Sequence, residues 1–432
     1  VLGAGPAGLS AARHLGRSCE VIEKQLAAGG HCRTKRIDGF CFDEGAHVFF
    51  GTGECAERFV WKPLERELLR SKAEIWNNYG GRRYGRYPVQ VNAHALPAEL
   101  ATLCVLGFID ALNAPEQRPH TYADWCYASF GKAFSDHFML RYARKIWTVE
   151  PAELSTEWLG SSVGGRISRP SLEQVLRGAI DPEPQVLSYF IEFAYPRAGG
   201  FDRVLDALRE GVDVKLGLAA VEINTAARTL RLSDGSSRRY SSIVSTMPLP
   251  ELVRIADAPP EVQAAGERLM WTSVRCVNFG VARSDLGPGH WVYFYDDAVP
   301  FFRVSFPSKF AAGNAPAGHG SISCEIAHSR RRPLDETDLI PRVRASLVDA
   351  GILDARDEVV LEDEVEIPYA YVVYDFERTA ALETIHAWMR RHGLFPCGRY
   401  AEWGYHWSFD SMESGRRVAR EVAAATGLAT AG

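Results

Sequence analysis

Long apolar runs are missing from this sequence. The apolar segment Leu103–Ile109 falls far below the roughly 18 residues that a bilayer-spanning helix needs, so no membrane span is expected. A basic excess is missing too. Lys and Arg total 49 against 54 Asp and Glu, a formal charge of −5, and no nucleic-acid partner is implied. Lysine is scarce, at 8 residues against 41 arginines; a GC-rich genome produces that skew by itself, and no partner follows from it. The nine cysteines are odd in number, widely spaced and form no CxxC pair. That argues against a disulfide framework or a zinc site and fits a reducing compartment. No signal-peptide pattern opens the sequence, and a cytoplasmic location is the expectation. No HExxH and no Ser-His-Asp signature is present, so neither metalloprotease nor triad chemistry is expected.

What is present is ordinary globular composition. The 432 residues are 46% hydrophobic and 24% charged, enough for two or three domains at about 150 residues each. Aromatics reach 11%, with ten Trp, which suits a pocket that encloses a ring system.

The opening, Val1-Leu2-Gly3-Ala4-Gly5-Pro6-Ala7-Gly8, is GxGxxG with a helical pattern behind it at Leu9, Ala11, Ala12 and Leu15. A strand pattern, Val21-Ile22, then ends in Glu23. Strand, glycines, helix, strand and acid stand in the register of a dinucleotide-binding βαβ unit. Gly3 permits the tight turn, Gly5 lets backbone approach a pyrophosphate, and Gly8 lets helix and strand pack closely. The helix N-terminus then faces the phosphates, and Glu23 takes the ribose hydroxyls. Only two residues precede Gly3, so strand one is expected to start before the sequence given. Next come Ala28-Gly29-Gly30-His31 and Phe42-Asp43-Glu44-Gly45-Ala46-His47. This second Gly-rich segment and its D-x-G-x-H stretch resemble the FAD-binding start of amine oxidase-like flavoproteins, which puts FAD ahead of NAD.

Further on, residues 74–92 pattern as a hairpin and 97–180 as helices, with Phe130, Phe134, Phe138 and Tyr142 at helical spacing. A strand pattern over 189–195 leads into Pro196-Arg197-Ala198-Gly199-Gly200. Ile243-Val244-Ser245-Thr246 reads as a strand returning to the first sheet. Residues 274–326 alternate as antiparallel strands do, and a last helix starts near Met412.

Along nearly its whole length the chain resembles the UDP-galactopyranose mutases, especially the eukaryotic type. The resemblance rests on Gly45-Ala46-His47-Val48-Phe49-Phe50, Tyr87-Pro88-Val89-Gln90, Lys145-Ile146-Trp147, Trp158-Leu159-Gly160, Pro196–Gly200, Ser245-Thr246-Met247, Trp291–Phe294, Pro300–Arg303 and Gly398–Tyr405. It implies an α/β fold with a Rossmann-like FAD-binding domain (1–73, 192–270 and 360–432). A helical domain (93–191) and a mostly antiparallel sheet domain (74–92 and 271–359) complete it. The implied substrate is a nucleoside-diphosphate sugar. The implied cofactor is non-covalent FAD in its reduced form, its N5 the nucleophile at the anomeric carbon, with NADPH or NADH as external reductant. Arg166 and Arg303 are implied on the substrate diphosphate, with Arg169 a rival for the first. Tyr293, Tyr371 and Tyr405 are implied around the same phosphates, Tyr87 and Trp147 on the pocket wall, and His47 beside the flavin. Cofactor contacts are implied at Gly3, Gly5, Ala7, Gly8, Glu23, Gly30, Gly45, Ala46, Arg399, Asp410, Ser411 and Met412.

Three positions depart from the family pattern. Ala143 and Phe190 stand where asparagines are usual, and His31 where leucine is usual. The first two remove polar groups from the sugar or base end of the pocket. Three readings follow: a flavin-dependent pyranose/furanose mutase; an oxidoreductase of the amine oxidase or protoporphyrinogen oxidase type; or a non-catalytic flavoprotein subunit. Oligomeric state is not legible.

Overall fold

The computed structural model describes residues 1–16, 19–115, 118–160, 167–187 and 192–427. A small parallel sheet forms around the chain's opening. Leu2 bridges in parallel to Ile22 on one side and Ser245 on the other. Val21–Ile22 pairs onward with Val214–Lys215, and Ile243–Ser245 with Leu394–Pro396, both parallel. Val21, Ile22, Val244 and Leu394 are buried, as parallel strands covered on both faces require. Helix Pro6–Leu15 runs against the C-terminal helix Ser408–Thr426. The two approach closely because Gly415 is bare: a Cβ there would lie 2.4 Å from the Ala7 carbonyl oxygen. The C-terminal helix starts ahead of the expected Met412, because the Asp410 carboxylate accepts the Trp407 N–H at 2.9 Å and caps it.

A seven-stranded sheet forms the second unit. Its order is Val359–Val372, Trp271–Val281, Gly320–His328, Arg303–Ser305, Trp291–Phe294, Ile75–Asn78, Tyr84–Arg86. Every pairing is antiparallel except that of 291–294 with 75–78. The expected boundary at 359/360 needs correction. The strand Val359–Val372 pairs along Trp271–Val281, so residues 360–372 complete the sheet and do not start the last piece of the dinucleotide-binding part. In the sheet Arg275 on the next strand pairs with Glu364 at 2.5 Å and Glu366 at 2.8 Å, a cross-strand pairing that no local pattern announces.

The helices Ala98–Asn113, Tyr122–Phe134, Leu140–Trp147 and Leu172–Ile180 pack around Phe108, Phe130, Phe134 and Phe138. Capping boxes Thr121/Asp124 and Ser171/Gln174 start two of them. All nine cysteines are free thiols. Among the described residues, no helix is long and apolar enough to cross a membrane.

Candidate active site

The first feature is a cradle built from three glycine-bearing segments. Gly3 has φ +95°, and a Cβ there would lie 2.1 Å from Thr246 Oγ1. The second Gly-rich segment meets the first directly: a Cβ on Gly30 would lie 3.0 Å from Gly5 Cα. The C-terminal segment closes on the same turn. A Cβ on Gly398 would lie 2.5 Å from Ala7 Cβ, and Ser10 Oγ donates to the Met412 carbonyl at 2.6 Å. Helix Pro6–Leu15 carries Pro in its first turn and no side-chain cap, so its leading N–H groups are open to an anion. Buried Glu23 accepts from the Ala4 and Gln25 amides, each at 2.8 Å, which fixes its carboxylate at the strand end. A bare loop, an open helix N-terminus and an anchored acid fit a dinucleotide. The Met412 side chain is sealed in the core and Asp410 caps a helix, so near these residues the cradle is offered main chain.

The second feature is the loop carrying His47. Gly45 has φ +87°, a conformation that favours glycine. His47 Nδ1 lies 3.2 Å from the Gly45 carbonyl, so Nδ1 is the donor and Nε2 carries the lone pair. Burial pushes the His47 pKa down to about 4, so the ring is neutral near pH 7. It stacks on Phe201 at 5.1 Å. Phe201 is held in turn by Asp43, which accepts from its backbone N–H at 3.0 Å, from Thr34 Oγ1 at 2.5 Å and from Tyr195 Oη at 2.6 Å. Burial pushes the Asp43 pKa up to about 6 in spite of these bonds.

The third feature is an arginine in an aromatic enclosure. Tyr293, Arg303 and Glu325 are directly opposite one another on three neighbouring strands, so their side chains share one face of the sheet. Arg303 forks onto Glu325, Nε to Oε1 and Nη2 to Oε2, both at 2.6 Å. Glu325 is 2% exposed and also accepts from the Ala46 N–H at 3.3 Å, which ties the His47 loop to the arginine. Burial works against the Arg303 charge, but the Glu325 carboxylate outweighs it and holds the guanidinium protonated. Nη1 makes no hydrogen bond among the described residues.

Around Arg303 the rings are continuous. Tyr87 meets Tyr293 at 5.3 Å, and Tyr293 meets Tyr142 at 5.1 Å. Tyr371, Tyr405 and Trp147 form a mutual trio at 5.6 to 5.9 Å. Arg399 lies over Tyr405 at 4.7 Å and donates to the carbonyls of His406 and Ala370, so both its terminal nitrogens are committed to backbone. Tyr87, Tyr142, Tyr293, Tyr371, Tyr405 and Arg303 are each only partly buried, while Trp147 and Glu325 behind them are sealed. A layer of partly covered rings on sealed supports encloses Arg303, whose side chain stays 18% exposed, and this enclosure is the candidate cleft. Burial pushes the phenols of Tyr87, Tyr142, Tyr371 and Tyr405 up, so they remain O–H donors.

The structure thus brings Arg303, His47, Tyr87, Trp147, Tyr293, Tyr371, Tyr405 and Arg399 together, and gathers Gly3, Gly5, Ala7, Gly8, Glu23, Gly30 and Met412 at the cradle. Gly45 and Ala46 sit between the two through Glu325. Arg166 and Phe190 lie outside the described residues. Arg169 is exposed and lies over Trp125 at 5.7 Å. Ala143 is buried among Leu140, Ile146 and Trp147. Sequence reading missed Glu325 and Tyr142. A lone carboxylate inside the strand Gly320–His328, otherwise uncharged before its terminal histidine, was the available signal for the first. Tyr142 had none beyond its place beside Ala143.

The family pattern described as flavin containing amine oxidoreductase matches residues 6–423. Among solved structures, a reduced UDP-galactopyranose mutase superposes with a TM-score of 0.92 at 24% identity, covering 98% of this chain and 95% of that one. A putative protoporphyrinogen oxidase from Exiguobacterium sp. 255-15 gives a TM-score of 0.71 at 16% identity, covering 98% of each chain. A putrescine oxidase double mutant redesigned in its cofactor binding gives 0.64 at 17% identity, again covering 98% of each. At these identities the likeness is one of fold. The family pattern covers almost the whole chain, from the open helix of the cradle to the C-terminal helix packed on it. By that match the chain belongs to the flavin-containing amine oxidoreductase family.

Proposed function

We propose that this protein is a flavin-dependent mutase that interconverts pyranose and furanose forms of a nucleoside-diphosphate sugar. The observation that carries the reading is Arg303. It is a partly buried, charged guanidinium forked on Glu325, with one N–H edge uncommitted and Tyr142, Tyr293, Tyr371 and Tyr405 beside it. That arrangement suits a diphosphate. Nη1 and the phenolic O–H groups would donate to phosphate oxygens, and the donors are in place before charge develops on the leaving oxygen. Tyr87 and Trp147 would wall the sugar and base. The cradle would hold FAD through Gly3, Gly5, Gly8, Gly30 and Glu23. When bound and reduced, with NADPH or NADH as electron source, the flavin supplies a nucleophilic nitrogen toward the anomeric carbon. His47, neutral with its Nε2 lone pair free of Gly45, would accept or return a proton next to that position. Arg166 would add a second guanidinium.

The test is anaerobic incubation of the holoenzyme, reduced once by dithionite, with a panel of nucleoside-diphosphate hexoses and pentoses. Chromatography should reveal a ring-isomer product formed over many turnovers without further reductant. Oxygen consumption in step with substrate loss, and no isomer, would instead place the protein with the flavin oxidoreductases.

A further inference from the structure

Lys145 is 3% exposed, and the proposed reaction gives it no part. An amine sealed inside a protein is costly unless its donors are met, and among the described residues no carboxylate pairs with it. Its Nζ donates instead to the carbonyls of Asp296 and Val299 at 2.7 and 2.8 Å. Those two residues are the ends of one turn, which the Val299 N–H closes on the Asp296 carbonyl at 3.3 Å. The turn joins strand Trp291–Phe294, which carries Tyr293, to strand Arg303–Ser305, which begins with Arg303. Lys145 reaches it from helix Leu140–Trp147. Tyr142, three residues earlier, shares that helical face. Its ring meets Tyr293 at 5.1 Å, Phe302 at 6.0 Å and Tyr295 at 6.1 Å. Helix and hairpin thus meet through rings at one helical turn and through the amine at the next. At the end of the same helix Trp147 meets Tyr371 and Tyr405 at 5.9 and 5.6 Å. Burial pushes the Lys145 pKa down to about 7. The link holds in either state, because a neutral amine still has two N–H groups for two carbonyls.

We infer that Lys145 is a positioning residue of the cleft: by fastening helix Leu140–Trp147 to the 296–299 turn, it holds Tyr142 and Trp147 against Tyr293 and Arg303 and so sets the affinity for the nucleoside-diphosphate part of the substrate without touching it. This rests on the nucleotide-sugar reading of the cleft. A methionine would fill the same space at less desolvation cost. What the amine adds is direction: two hydrogen bonds fix the rotation and height of the helix on the hairpin, whereas apolar contact alone is non-directional. Small displacements of binding groups are costly in a site of this kind.

The test is calorimetric titration of the holoenzyme with uridine, thymidine and guanosine diphosphates, for wild type, Lys145→Met and Lys145→Ala. Flavin absorbance and circular dichroism check that each variant is loaded and folded. Both variants should keep flavin and bind the diphosphate that wild type prefers about 10-fold more weakly. Propylamine, which restores an amine in the space vacated in Lys145→Ala, should return that variant toward wild-type affinity. Tetramethylammonium at the same concentration, a cation without N–H groups, should not. Wild-type affinity in Lys145→Met, a weakened affinity in Lys145→Ala that propylamine leaves unchanged, or loss of flavin and fold in both variants would overturn this inference and leave the mutase reading standing. A wild-type holoenzyme that binds none of the three diphosphates would overturn both.

Discussion

Arg303 and Glu325 are worth separating experimentally, because each is costly without the other. Truncating Arg303 to Ala strands a carboxylate that is 2% exposed, and breaking such a pair costs about 3–5 kcal/mol of stability. It also removes the donor edge facing the proposed diphosphate, worth about 100- to 1000-fold in turnover by analogy with an oxyanion donor. The double variant Arg303→Met, Glu325→Gln divides these effects. Its thermal midpoint and flavin content should return close to wild type while turnover stays lost; recovery of turnover would remove Arg303 from the mechanism. Asp43 offers a pH signature. Its folded pKa is raised from 3.8 to about 6, so between about pH 4 and pH 6 the folded protein holds a proton that the unfolded chain has released. Stability therefore falls as pH rises through that window, by about 3 kcal/mol in total, and the loss is complete above about pH 6. Asp43→Asn is neutral throughout and keeps an acceptor. Its thermal midpoint should gain on wild type from pH 4 to pH 6 and hold that gain at pH 7. A constant difference across the range would mean that Asp43 does not titrate there.

At the scale of elements, the helical region is joined at a close crossing. Gly131 lies within the helix Tyr122–Phe134 with φ +74°, and a Cβ there would come 2.0 Å from the Gly107 carbonyl oxygen of helix Ala98–Asn113. Gly131→Ala combines a left-handed conformation with a backbone clash. It should cost at least about 2 kcal/mol, seen as a lower midpoint in chemical denaturation; an unchanged midpoint would show that the two helices separate without cost. Helix Leu140–Trp147, which carries Tyr142 and Trp147 into the site, is moored elsewhere. Buried Lys145 donates to the carbonyls of Asp296 and Val299 at 2.7 and 2.8 Å. The strand Val359–Val372 performs the matching service for Tyr371, delivering it from the sheet's edge to the cleft.

For the molecule as a whole, the candidate site exists only because distant pieces converge. Uridine diphosphate at a hundredfold excess over its dissociation constant should stabilise the holoenzyme by about 2.7 kcal/mol, read as a rise in thermal midpoint. The Arg303→Met, Glu325→Gln protein should show no such rise. Equal stabilisation of both proteins would locate nucleotide binding away from the aromatic cleft.

The dinucleotide turn was legible in the sequence because its requirements are local. Glycines that tolerate close approach, a helix behind them and an acid at the next strand end all fall within 23 residues of one another. The rings and the arginine of the cleft were also named from motifs along the chain. Their meeting was not written there, since Tyr293, Arg303 and Glu325 become neighbours only through strand register. Glu325 was overlooked for that reason, and residues 360–372 were grouped with the dinucleotide-binding part by the resemblance alone, whereas their ladder partners lie on Trp271–Val281. Local chemistry determines which residues are able to bind; pairing between distant strands decided which of them face one cleft.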